Sequence, residues 1–192
     1  FWRYEHQVAQ ALFARSSMPT EFDAPRLRSG LQRLFPENNA GEVDWQKVAC
    51  ALAVSRRFAV ISGGPGTGKT TTVIKVLALL LEQNPALQIQ LAAPTGKAAA
   101  RMIESIRSRK SAIAISDETG ALIPDQASTL HRLLGYDGRR FRHNAGNPLS
   151  ADCLVVDEAS MIDLTLMARL LDAMPDNCRL ILLGDRDQLA AG

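Results

Sequence analysis

Apolar residues along the chain follow two rhythms. Short, mainly apolar runs at 58–61, 89–93, 154–156 and 180–183 predict four strands, with the residues of the third buried. Between them, Val73, Ile74, Leu77, Leu80 and Leu81 recur at the spacing of one helical face, as do Met167, Leu170, Leu171 and Met174. Alternation of strands and amphipathic helices predicts an α/β fold, a parallel β-sheet flanked by helices. Upstream, Trp2, Val8, Leu12 and Phe13 predict a short helix, and Leu27, Leu31 and Leu34 predict a second after Pro25. The stretch PENNAG at 36–41 reads as a loop, and Asp44 opens a further helix through Val54. A domain boundary is therefore expected near residue 42. Residues 110–124 alternate weakly, with Ala112 and Ala114 against Ile113 and Ile115, and predict a short β-hairpin. Residues 127–134 (ASTLHRLL) read as a helix led in by Ser128 and Thr129.

The first predicted strand ends in GGPGTGKT, Gly63 to Thr70, and a helix follows. Gly63, Gly64, Gly66 and Gly68 allow the backbone to turn with its amides inward, and the helix starting near Lys69 adds the positive end of its dipole. Such a loop suits a polyphosphate. Lys69 reaches β and γ phosphates as a point charge, and the Thr70 hydroxyl supplies one oxygen to Mg²⁺. Gly63 through Thr71, including Pro65 and Thr67, are the candidate nucleotide-binding residues.

The run Leu154, Val155, Val156 delivers Asp157 and Glu158 to the edge of the sheet. Successive strand residues face opposite ways, so one carboxylate can hold Mg²⁺ while the other polarises a water. Alternatively, the pair only caps the next helix, a task that Asp163 can also perform. In an open parallel sheet ligands gather at the carboxyl ends of strands, which places the loop Pro94, Thr95, Gly96, Lys97 on the same edge, suited to a second, backbone phosphate. Gln46 either reads an adenine edge through its amide or is an ordinary surface residue. His131 either contacts a nucleic-acid strand or caps its own helix. Gln188, beyond the fourth strand, can bond a γ phosphate or the water in line with it.

Composition narrows the class. At 192 residues and 46% hydrophobic, the chain fits one α/β domain with an appendage, and no apolar run approaches the roughly 20 residues of a membrane span. The start FWRYEHQ resembles neither a signal peptide nor a native terminus, so a fragment of a longer protein is expected. Cys50, Cys153 and Cys178 form no CxxC pair and read as reduced packing residues of a cytoplasmic protein. A net charge of +2 does not establish a nucleic-acid partner. The basic residues do cluster, at Arg101, Arg107, Arg109, Lys110 and at Arg139, Arg140, Arg142, His143, a pattern shared by strand-binding surfaces and plain solvated faces.

Taken in order, GGPGTGKTT, LAAPTGKAAARM, ASTLHRLLG, LVVDEASMID and LLGDRDQL resemble the motor motifs of superfamily one DNA helicases of the five-prime-to-three-prime class. NPL ahead of LVVDEASMID and DWQKVACALA ahead of the phosphate loop are most similar to the RecD family, the alpha subunits of the exonuclease V (RecBCD) complex. The resemblance implies a RecA-like P-loop NTPase fold at 42–192, the first motor domain, preceded at 1–41 by a helical remnant of a partner-binding domain. It implies ATP and Mg²⁺ as cofactors, single-stranded DNA as track, and RecB-like and RecC-like subunits as partners. By the same resemblance Gln46 recognises adenine, and Lys69 and Thr70 serve phosphate and magnesium. Asp157 and Glu158 serve magnesium and water, and Gln188 senses the γ phosphate. Pro94, Thr95 and Lys97 form one DNA-contacting motif, Thr129 and His131 a second, and the 110–124 segment corresponds to a small strand-splitting pin. A second RecA-like domain would bring the arginine that completes the site, so this stretch alone is expected to bind ATP and hydrolyse it very slowly. The rival readings are a P-loop kinase, a docking subunit with weak ATPase, and a stand-alone RecD-like helicase without nuclease partners.

Overall fold

The computed structural model describes residues 2–36, 43–64 and 68–185. Its centre is a parallel sheet of five strands: β1 (Phe58–Ser62), β2 (Ile89–Ala93), β3 (Ser128–Thr129), β4 (Cys153–Val156) and β5 (Arg179–Gly184). They lie in the order β1-β5-β4-β2-β3. Helices α1 (Trp2–Ser17), α2 (Ala24–Leu34), α3 (Trp45–Ser55) and α4 (Lys69–Gln83) account for the first half of the described chain. In the second half, α5 (Gly96–Lys110) and α6 (Asp117–Leu122) lie between β2 and β3, α7 (Leu130–Leu133) follows β3, and α8 (Leu164–Ala173) lies between β4 and β5.

Alternation along β4 and β5 sends side chains into two separate cores. Cys153, Val155, Ile181 and Leu183 face one core with Ile74 and Leu77 of α4, packed by α2, α3 and α5. Leu154, Val156, Leu180 and Leu182 face the other, with Leu130 of α7 and Leu166, Leu170 and Leu171 of α8. Every residue of β4 is buried, which explains why the sequence there is an unbroken apolar run. Leu27 and Leu34 of α2 join the first core, and Val8, Ala11 and Leu12 of α1 pack on the second. Buried Arg15 reinforces that contact by donating to Met174 O at 3.2 Å and Pro175 O at 3.1 Å. The boundary expected near residue 42 falls within 37–42, outside the described residues.

Local chemistry sets the helix ends. Asp23, Asp44, Thr95, Thr129 and Asp163 each accept a backbone N–H in the first turn of α2, α3, α5, α7 and α8. Two expectations are corrected. Residues 110–124 hold helix α6 instead of a hairpin: the Ser116 hydroxyl accepts the Thr119 N–H at 3.1 Å, Asp117 and Glu118 occupy the first turn, and Lys110 donates to Gly120 O at 2.9 Å. Ile113 and Ile115 both pack against the same core, so their spacing reflects burial and not strand pairing. Two tight antiparallel turns do occur later, one bridged by Tyr136 and Phe141, with Asp137 accepting from the Arg139 and Arg140 amides, and the next bridged by Asn144 and Asn147. The second correction concerns 127–134. Ser128 and Thr129 pair with Ala92 and Ala93 as a fifth strand, and only the four residues of α7 are helical.

Two outcomes follow from this packing. Leu77 is fully buried, so Leu77→Ala is expected to lower the unfolding free energy by about 3 kcal/mol, read as a lower urea midpoint at unchanged slope. Burial pushes the Cys153 thiol from its usual 9.0 up to about 12. The unfolded chain therefore releases this proton first, and stability falls as pH rises from 9.0 towards 12. Between about pH 8 and pH 10 the loss in urea midpoint should be smaller in Cys153→Ala than in the parent protein.

Candidate functional site

Helix α4 begins differently from its neighbours. Its N-cap is Gly68 at φ +84°, with no side-chain cap, so the amide end of α4 faces the edge of the sheet without a carboxylate or hydroxyl from its own turn. An uncapped N-terminus of this kind suits an anion. Gly68 is favoured there because its φ lies in the left-handed region. A Cβ at this position would stand 2.8 Å from Gln46 Nε2, the mobile end of that side chain, so the Gln46 amide lies beside the start of α4.

Gly184, the last residue of β5, ties the parts together. Its carbonyl accepts the Gly63 N–H at 3.3 Å and, at 3.5 Å, the Lys69 ammonium. The second bond is at the outer limit of hydrogen bonding, so an arriving phosphate oxygen displaces a weak partner. Lys69 and Thr70 share a cavity of about 170 Å³ with Asp157, Glu158, Gly184 and Asp185. Four of the site residues predicted by the sequence, Lys69, Thr70, Asp157 and Glu158, from two stretches nearly ninety positions apart, converge here.

β4 ends at Val156, and the Asp157 N–H donates to Ala92 O at 2.9 Å, extending the β2 pairing by one residue. Glu158 then adopts φ 50° and ψ 41°, the one positive φ at a non-glycine position among the described residues. Its amide donates to Asp157 Oδ1 at 2.8 Å. A left-handed residue at the strand end turns the chain sharply, so both adjacent side chains line one cavity instead of parting across the sheet. Asp163 caps α8, with the Leu166 N–H at 2.9 Å, which leaves the Asp157–Glu158 pair free of that task. The Thr70 hydroxyl and the Asp157 carboxylate are hard oxygen donors lining the same space, a set that fits Mg²⁺, and the uncapped α4 with Lys69 fits a polyphosphate.

The other predicted residues sort by place. Gly64 and Thr71 flank the cradle, and Thr71 lies in the first turn of α4. Pro65, Gly66, Thr67 and Gln188 lie outside the described residues. Pro94, Thr95 and Lys97 follow β2, and Thr129 and His131 sit at the end of β3; Ala93 pairs with Thr129, so the two stretches are neighbours on one edge. The Thr95 hydroxyl accepts the Ala98 N–H at 3.2 Å, and Lys97 is exposed. Thr129, and not His131, caps α7, accepting the Arg132 N–H at 3.2 Å. The exposed His131 ring packs edge-on to Tyr136 at 5.5 Å. Sequence reasoning missed Arg101 and Ser105, which line the cavity from α5. Their spacing with Ala98 and Met102 is one helical face, a signal hidden because Arg101 had been grouped with the basic residues further along.

A family model described as AAA domain matches residues 46–192. The chain is 44% identical to the RecBCD enzyme subunit RecD of Haemophilus influenzae over 99% of its own length, covering 31% of that protein. It is 40% identical to the ATP-dependent RecD2 DNA helicase of Deinococcus radiodurans over 80% of its own length and 21% of that protein's. The chain thus spans about a third of the length of the RecD subunit it matches. Among solved structures it resembles UvsW of T4, at a TM-score of 0.59 and 12% identity, over 89% of this chain and 36% of that one. This likeness bears on the fold, a parallel sheet between helices in the RecA manner.

The left-handed start of α4 gives a direct test. Gly68→Ala is expected to cost about 1–2 kcal/mol for the left-handed backbone, with the end of the Gln46 side chain moving aside at little further cost, measured as a drop in urea unfolding free energy.

Proposed function

We propose that this chain, which belongs to the AAA domain family, is the first motor domain of an ATP-driven DNA helicase subunit of the RecD type, moving five-prime to three-prime on single-stranded DNA. The observation that carries the reading is the convergence of Lys69, Thr70, Asp157 and Glu158 on one cavity beside an uncapped helix N-terminus. In the whole protein the function is unwinding of duplex ends in double-strand-break repair and homologous recombination, within a complex that also holds RecB-like and RecC-like subunits. The proposed location is the cytoplasm; no helix among the described residues is long and apolar enough to cross a membrane. Residues 1–41 are proposed as part of a partner-binding domain and 42–192 as the motor domain.

The proposed chemistry is phosphoryl transfer from ATP to water. Lys69 exchanges its long bond to Gly184 O for the β and γ phosphates, and the amides at the start of α4 bind the same anion. Gln46, held against Gly68, takes the adenine edge. Thr70 and Asp157 would hold Mg²⁺, which when bound neutralises charge on the phosphate oxygens. Glu158 orients and polarises the attacking water, and Gln188 senses the γ phosphate. Such groups act chiefly by fixed placement of charge in a partly dry cavity. DNA is taken by Pro94, Thr95 and Lys97 and by Thr129 and His131, side by side on the adjoining edge. The strand-splitting role expected of 110–124 passes to the antiparallel turn at 136–141, which carries exposed Tyr136, Arg139 and Arg140.

A stand-alone helicase is the second reading, favoured by the identity to RecD2. The greater reach of the RecD match, 99% against 80% of this chain, supports the subunit reading over it. Steady-state ATP hydrolysis by the full-length protein, with and without single-stranded DNA, tests the proposal. Stimulation by DNA is expected, and Lys69→Gln should lower turnover by about a hundredfold. ATP bound without stimulation would contradict a motor and favour a docking subunit.

A further inference from the structure

Arg101 stands apart from the basic residues that follow it on α5. Arg107 donates to Asp125 O at 2.9 Å and Lys110 to Gly120 O at 2.9 Å, so each ties the helix to the segment beyond it. The Arg101 guanidinium has no hydrogen-bond or ion-pair partner among the described residues, yet it lines the cavity that holds Lys69, Asp157 and Glu158. A long cationic side chain without a structural contact, beside carboxylates, is placed to meet a ligand.

Charge in the cavity points the same way. Its described lining carries two cations, Lys69 and Arg101, against three carboxylates, Asp157, Glu158 and Asp185. A polyphosphate adds further negative charge, and with Arg101 removed Lys69 would face all of it as the one lining cation among the described residues. The helix that carries Arg101 also has two working faces. Ala98, Arg101, Met102 and Ser105 wall this cavity, whereas Gly96, Ala99, Ile103 and Arg107 wall a separate groove that contains Thr129. Thr95, which caps α5, fixes the helix where β2 ends and so sets the position of Arg101 relative to β4.

We propose that Arg101 is a catalytic residue of the ATP site, a guanidinium supplied from within this domain that contacts the terminal phosphate and holds the Glu158 carboxylate in register with it across the cavity. The inference rests on the ATP-site reading above. Its planar fork can bridge a phosphate oxygen and a carboxylate oxygen at once, which a lysine ammonium does less specifically.

The test compares Arg101→Ala, Arg101→Lys and Lys69→Gln in the full-length protein, measuring kcat and KM for ATP with saturating single-stranded DNA and, separately, affinity for a fluorescent ATP analogue. Arg101→Ala is expected to lower kcat by about thirtyfold and to weaken analogue affinity and raise KM by a smaller factor, about fivefold, because the guanidinium offsets charge on the bound polyphosphate and more of it as the water attacks. Arg101→Lys should recover part of kcat, and neither variant should shift the thermal midpoint. Unchanged kcat in Arg101→Ala, or equal loss in both variants together with a lowered midpoint, would overturn the proposal. If Lys69→Gln also leaves kcat unchanged, the ATP-site reading itself has failed; if only Lys69→Gln lowers it, that reading stands and the role of Arg101 does not.

Discussion

Burial of β4 and β5 on both faces is the constraint from which the rest of the structure follows. Strands covered on both sides cannot carry charged side chains along their length without a large desolvation cost, so polar groups collect where the strands end. Because all neighbouring pairs are parallel, those ends lie on one edge. Gly63 follows β1, Pro94 and Thr95 follow β2, His131 follows β3, Asp157 and Glu158 follow β4, and Asp185 follows β5. Residues scattered over more than a hundred positions thus become neighbours through topology alone.

That edge is divided by strand order. β1, β5 and β4 support the proposed nucleotide cavity, and β2 with β3 supports the proposed DNA-facing loops, while α5 runs between the two and walls both. A shared rigid helix gives a physical route by which occupancy of one site can bias the other, provided each ligand favours one placement of α5. Gly184 contributes similarly at the other end. Its single carbonyl accepts from both Gly63 and Lys69, so release of Lys69 to a phosphate leaves the loop still attached to β5.

The long periodic elements were legible in the sequence because their pattern is set by burial: α4 and β4 are apolar where the fold needs them to be. The strand-to-helix change from β1 to α4 was legible because the apolar run at 58–61 stops at a glycine-rich stretch and a helical period begins after it. Ser128 and Thr129 were misread because a two-residue edge strand has no periodicity to detect and its pairing with Ala92 and Ala93 is wholly long-range. Residues 110–124 misled in the opposite sense: Ile113 and Ile115 are spaced as in a strand, yet a Ser116 cap and the acidic turn after it specify helix. Glu158 was expected to diverge from Asp157 by strand geometry, and the left-handed turn that keeps both carboxylates on the cavity is invisible in residue types. Arg101 belonged by composition to a basic surface cluster and by helical phase to the cavity.

One cavity at the ends of β4 and β5 is proposed to hold both nucleotide and metal. A crystal structure of the protein with a non-hydrolysable ATP analogue and Mg²⁺ tests it most directly. The account predicts terminal phosphates at the start of α4 with Lys69 withdrawn from Gly184 O, and the metal on the Thr70 hydroxyl with Asp157 facing it. Analogue bound elsewhere, or a metal held without Thr70 and Asp157, would contradict it.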